Sequence, residues 1–148
     1  MELAEFDVLA DQMRQRSASL IASAGFSLID GRTAAMDQIR AAEDVLGAIL
    51  PEKYTAFMTQ YGGGRFGFVD LFSIAAGDPD DICAINHAEF PDAMFIAIAP
   101  VGTGDHWGFP VTDGRCHDQV WFHFHDGGDP ELVAADFLEF AARHGLKS

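Results

Sequence analysis

The chain has 148 residues, 49% of them hydrophobic and 22% charged, which fits one globular domain with one core and excludes a disordered or fibrous protein. No apolar run approaches the ~20 residues needed to span a bilayer, and the acidic start MELAEFDVLADQ is not a secretory signal, so a cytoplasmic location is expected. The formal net charge of −14 is uneven: residues 1–65 hold 9 acids and 6 bases, residues 66–148 hold 14 acids and 3 bases, a field that repels nucleic acid and membrane and attracts basic partners or serves solubility alone.

Phe6, Leu9, Ala10 and Met13, then Leu20, Ile21 and Ala24, fall at helical spacing and predict a first helix that ends at Gly25. FSLIDG reads as a connector. Thr33 is the expected N-cap of a second helix, with Met36, Ile39 and Leu46 inward and Gly47 at its end. Pro51 suits the start of a third helix, whose apolar stripe is Tyr54, Phe57, Met58 and Tyr61.

That helix runs into GGGRFG at residues 62–67, which satisfies the spacing G-x-G-x-x-G. In a dinucleotide-binding fingerprint the glycines follow a strand and open a helix, so that the helix amides face the pyrophosphate. Here a helix precedes them and a strand follows, so the dipole end at the loop is the negative one. The glycines are therefore expected to supply a left-handed cap and a tight entry into a sheet.

Beyond them the period changes. Phe66, Phe68 and VDLFSI predict a strand, AAGDPDD an acidic loop, and residues 82–93 fit neither pattern clearly. MFIAIA, HWGFPV and QVWFHFH predict three more strands, with turns at VGTGD and TDGR. Pro110 places HWGFPV at a sheet edge or marks its end. Asp129 and Pro130 suit the start of a closing helix that buries Val133, Phe137, Phe140 and Ala141 and stops at Gly145. Helices first, strands next and one closing helix make a single α+β domain with a mainly antiparallel sheet.

The run AAEDVLGAILPEKYTAFMTQYGGG carries Glu43, Leu46-Gly47, Leu50-Pro51, Tyr54, Phe57-Met58 and Tyr61-Gly62-Gly63. In order and spacing these residues resemble the signature of the SUKH superfamily, named for its Smi and Knr fungal members. Tyr61 departs from the usual asparagine. FIAIAPVGTGDHWGFPV and QVWFHFHDGG with DFLEFAARHG resemble the family's later strands and closing helix. The resemblance divides the chain into a helical extension at 1–32 and a SUKH-like domain at 33–148. It implies an α+β fold, action by binding, and no shared catalytic residue. Bacterial members are mostly immunity proteins that neutralise polymorphic toxins, often nucleases; fungal members regulate cell-wall assembly through protein contacts.

The residues themselves offer little chemistry. Alternation in WFHFH puts Trp121, His123 and His125 on one face and Phe122 and Phe124 on the other. His123 and His125, about 7 Å apart on a strand, could share a metal with Asp105, His106, His117 or Asp126, as in a small metal-dependent hydrolase, or could simply be half-exposed. Cys83 with His87 and Cys116 with His117 lack familiar zinc-knuckle spacing, and both cysteines suit small semi-buried hydrophobes in a reducing compartment. No catalytic motif, metal site or cofactor site is assigned.

The favoured expectation is a non-catalytic immunity protein whose acidic surface docks on a basic, nuclease-type toxin. Its contact is expected on the loops carrying Asp78, Asp80 and Asp81; Asp105, His106 and Trp107; and Asp126 and Asp129, with Trp107 either the anchor or a core residue. The alternatives are the metal hydrolase and a scaffold like the fungal regulators.

Overall fold

The computed structural model describes residues 1–24 and 28–148, with the side chains of residue 17 and residues 19–24 outside the description. The fold is α+β: three helices, a small hairpin, a fourth helix, an antiparallel sheet and a closing helix. Helix α1 spans Leu3–Ala24, α2 Met36–Leu46 and α3 Glu52–Gln60. Phe6, Ala10 and Met13 of α1 are buried, as are Tyr54, Phe57 and Met58 of α3 and Tyr61 just beyond it. The helix reaches Ala24 as expected, while the side chains of the Leu20, Ile21 and Ala24 stripe and the Gly25 cap lie outside the described residues. Among the described residues, no helix is long and apolar enough to cross a membrane.

Helix α2 begins later than Thr33. Its N-cap is Ala35, whose N–H donates to Gln38 Oε1 at 2.8 Å, so a glutamine reaching back replaces the threonine cap. Met36 is thereby left outward and 46% exposed, whereas Ile39 and Leu46 are buried. Gly47 ends the helix in the left-handed conformation at φ 72°.

The glycine run works as a cap and a crossing point. Gly62 N–H donates to Phe57 O at 3.2 Å, and Gly63 N–H donates to Arg32 O at 2.9 Å, which binds the connector to the end of α3. Strands β1 (Gly64–Phe66) and β2 (Val69–Leu71) then form a hairpin where the sequence suggests one strand. The fold at Gly67 is dictated by packing: its N–H donates to Leu28 O at 2.7 Å, and Phe68 N–H donates to Gly145 O at 2.9 Å. Phe68 therefore sits on the hairpin tip, exposed.

Residues 82–89 form α4 (Ile82–Glu89), capped by Asp81. The main sheet contains β3 (Phe95–Pro100), β4 (His106–Thr112), β5 (Arg115–Cys116), β6 (Val120–His123) and β7 (Glu131–Ala134). The order is β3-β4-β6-β7, all antiparallel, with β5 paired to the far end of β4. Buried Asn86 of α4 covers part of the free edge of β3: its Nδ2 donates to Ala97 O at 2.9 Å and its Oδ1 accepts from Ala97 N at 2.7 Å.

Two expectations are corrected here. β4 is an interior strand despite Pro110. On one flank it pairs with β6 through His106–Gly108 and with β5 through Val111–Thr112, and Pro110 falls in the gap between these ladders. Asp129 and Pro130 do not open a helix. They lead into β7, and the closing helix α5 (Phe137–Phe140) begins after Asp136, whose Oδ1 accepts from Glu139 N at 2.8 Å. Val133 accordingly lies in a strand, while Phe137, Phe140 and Ala141 are buried as expected and a π-helical turn over Ala141–Gly145 ends the element.

One face of the sheet is covered. Phe109 of β4 meets Tyr54 of α3 at 5.4 Å between ring centroids, and Tyr54 meets Phe137 of α5 at 4.9 Å. Phe57 links this group to Phe6 and Phe66, so helix α1, the hairpin and the sheet share one aromatic core. The other face of the sheet is only partly covered, by α4.

Candidate partner-binding face

The acidic loops singled out from the sequence fall in different places. Asp78, Asp80 and Asp81 are engaged within the protein. The Arg32 guanidinium forks onto Asp80, Nη1 to Oδ1 at 2.9 Å and Nη2 to Oδ2 at 2.5 Å, and reaches Asp78 Oδ2 at 3.3 Å. Its hydrogen bond holds the Asp80 carboxyl below the usual range, and Asp80 in turn raises the arginine. Asp78 also accepts from Ser73 Oγ at 2.8 Å, and Asp81 accepts from Cys83 N at 2.9 Å at the start of α4.

Asp105 ties the β3–β4 turn to the end of β6. Its Oδ1 accepts from His125 N at 2.8 Å and lies 2.6 Å from His125 Nδ1, while Oδ2 accepts from Thr103 Oγ1 at 2.8 Å. The bond from the His125 backbone, with those from the His125 ring and Thr103, pulls the Asp105 carboxyl down to about 2, and the same contact raises His125. Asp126 and Asp129 follow on an exposed loop, Asp126 accepting from Gly128 N at 3.1 Å.

Asp105, with its lowered value, stabilises the fold above its ordinary range near pH 4 and loses that contribution as pH falls toward 2. His125, held above its ordinary value, contributes below about pH 6.5 and loses that contribution as pH rises through its raised value. Both act together between about pH 4 and 6.5. In Asp105→Asn the His125 ring is expected to titrate lower than in the parent chain, measured by NMR of its carbon-bound protons. An unchanged titration would show that the pair is not formed.

His106 and Trp107, adjacent in β4, point to opposite faces. Trp107 lies against Phe140 at 5.3 Å and His144 at 5.3 Å on the covered side, and only part of it reaches solvent. His106 lies on the other side, beside Phe72 and Phe90, where burial pushes its pKa down.

That second side carries a feature made by several strands at once. Gly108 faces Trp121 across the β4–β6 pair, and His106 faces His123. A Cβ on Gly108 would sit 2.7 Å from the Phe95 ring, so the glycine makes room for the ring to lie across the strand. On this face lies a groove of about 430 Å³ lined by Met94, Phe95, Pro110, His117, Trp121, His123 and Pro130. Met94 is 64% exposed and Leu132, paired with Trp121 across β6–β7, is 53% exposed. Among the described residues, Trp121 Nε1 is buried without an acceptor. Asp92, Asp118 and Asp129 are exposed and adjoin residues of the lining, which contains no Lys or Arg among the described residues.

A family model, SUKH_6, described as SMI1-KNR4 cell-wall, matches residues 36–140. The chain belongs to the SUKH_6 family. No curated protein matches it. SUKH proteins are in general a non-catalytic group with binding or immunity-type roles.

The SUKH signature residues in this chain build the scaffold rather than the groove. Glu43 Oε2 accepts from Leu50 N at 2.8 Å, Gly47 turns left-handed, Pro51 caps α3, and Tyr54, Phe57 and Met58 enter the core. Among the described residues, no three His, Cys, Asp or Glu side chains are grouped to hold a metal. His123 packs between Phe90 and Phe95, at 5.0 and 5.1 Å, while His125 turns to Asp105. Burial raises the Cys83 thiol to about 11 and the Cys116 thiol to about 12, so both stay protonated at neutral pH.

Met94, Pro110, Pro130 and Leu132 were not legible as site residues. The strand alternation that sets Trp121 and His123 on one face was the available signal. It says nothing of which residues from β3, β4 and β7 join them, because that depends on strand order and register.

Proposed function

We propose that this SUKH_6 chain is an immunity-type binding protein that works in the cytoplasm and neutralises a basic, nuclease-type bacterial toxin through its acidic half. Its working unit is the domain at 33–148, whose aromatic core the helical extension at 1–32 completes through Phe6. The supporting observation is the partly open sheet face: an apolar groove adjoined by carboxylates, in a stretch where Arg115 is the only Lys or Arg between Phe66 and Glu139. Large exposed apolar patches with polar rims mark interaction sites. The excess of carboxylates selects a cationic partner and competes with the nucleic acid that such a partner holds.

A complementary field of this kind raises association rates toward ~10⁸–10⁹ M⁻¹s⁻¹ at low salt, which suits an inhibitor of a catalytic toxin. The test is to mix the chain with the nuclease domain encoded by the gene beside its own. A complex that blocks nuclease activity at low salt, with an association rate that falls as salt rises, is the expected result. No complex at low salt overturns the reading.

A further inference from the structure

Resting on that reading, we infer that the partner docks on the outer face of the sheet by inserting an apolar or aromatic side chain, flanked by Lys or Arg, into the groove lined by Met94, Phe95, Trp121 and Pro130, beside exposed Leu132. Three observations converge on this place. First, the covered face of the sheet is closed by α3 and α5, and α4 covers only one corner of the outer face, where Phe90 meets Phe95 and His123. The remainder leaves Met94 and Leu132 more than half exposed beside a half-buried tryptophan.

Second, the groove has aromatic walls. Gly108 leaves room for the Phe95 ring, which lines the groove together with Trp121. A pocket with an indole wall, ringed by polar groups, is the setting in which binding hot spots form.

Third, charge selects the occupant. The acids that Arg32 engages lie on the loop before α4, whereas Asp92, Asp118 and Asp129, beside the groove, form no ion pair with Lys or Arg among the described residues. A second copy of this chain would bring the same carboxylates against themselves at a net charge of −14 each. A cationic surface instead gains from all of them, and its apolar side chain finds a desolvated seat.

The experiment is a selection of phage-displayed random dodecapeptides on the full chain, followed by binding measurements with synthetic copies of the winners. Enrichment of peptides that carry an aromatic or long aliphatic residue between Lys or Arg is expected. Leu132→Lys and Met94→Lys, both at exposed positions, are each expected to weaken these peptides by roughly 30-fold or more, the size of a hot-spot loss. Phe68→Lys, on the hairpin tip, serves as the control and is expected to change binding less than about threefold. On titration the Trp121 indole N–H signal is expected to shift more than that of Trp107, the two being assigned with Trp107→Phe.

Neutral or acidic winners, winners that bind Leu132→Lys as well as the parent, or a dimer of the parent chain that Leu132→Lys dissolves would each overturn the assignment. The two readings fail separately. A toxin complex indifferent to Leu132→Lys removes this docking site and leaves the immunity role, whereas groove-binding basic peptides without any toxin complex remove the role and leave the site.

Discussion

Gly62→Ala is expected to cost the chain a large share of its stability. Gly62 holds φ at 86°, where an L side chain is strained by about 1–3 kcal/mol. Strain is the smaller part. A Cβ there would lie 2.2 Å from the Arg32 carbonyl carbon, 2.4 Å from its oxygen and 2.4 Å from Thr33 N, all backbone atoms that no rotamer change can move. The connector would have to lift from the end of α3. That breaks the pair of bonds between Arg32 and Gly63 and shifts the guanidinium that holds Asp78 and Asp80. A loss above ~4 kcal/mol is expected, against the 5–15 kcal/mol that a domain of this kind has in total. Chemical denaturation followed by circular dichroism measures it. Gly127→Ala is the comparison, since Gly127 has a similar φ of 88° with nothing within 4 Å of its Cβ, and should cost only the strain. If Gly62→Ala unfolds like Gly127→Ala, the close crossing at Arg32 is not present. A nucleotide loop would behave differently again, losing ligand while keeping its fold.

The same residues show where the sequence was sufficient. The stripe Tyr54, Phe57, Met58 and Tyr61 and the glycines after it are local signals, fixed by helical period and by the conformations only glycine adopts freely, and the fold uses them as read. The strand alternation of Trp121 and His123 also held, since a side-chain period of two follows from the backbone alone. Asp129 and Pro130 misled because a cap and a first-turn proline are favourable locally, yet pairing of Glu131–Ala134 with β6 satisfies more backbone groups than a helix start in open solvent. Pro110 misled for a related reason: its tolerance depends on where β5 takes over from β6, a matter of register roughly 5 to 13 residues away. The acids of the 78–81 loop could be counted but not weighed. Their partner Arg32 stands 46 and 48 residues earlier, and nothing local announces it.

Phe6→Ala is expected to destabilise the chain by about 3–5 kcal/mol, the cost of emptying a closed aromatic site. Phe6 is fully buried, and its ring meets Phe57 at 5.6 Å, Tyr61 at 5.3 Å and Phe66 at 5.8 Å. Its three neighbours come from α3, the α3 cap and β1, so they cannot close over the void without moving the glycine crossing as well. Asp7, the next residue, adds polar ties: its Oδ1 accepts from Tyr61 Oη and from Gln60 Nε2, the latter at 2.8 Å. For a chain of this length such a loss lowers Tm by roughly 6–20 °C, read by calorimetry. Val8→Ala, at a position 56% exposed on the same helix, should cost no more than about 0.5 kcal/mol. The contrast bears on what α1 is. The family match starts at Met36, so α1 lies outside it, yet Phe6 packs into the aromatic cluster that α3, β1 and α5 share through Phe57. A helix that merely rests on a finished domain contributes surface contacts worth little when trimmed. A helix whose first turns complete the core makes the matched segment depend on it. If Phe6→Ala melts within 2 °C of the parent, α1 is an appendage, and residues 36–140 hold their core without it.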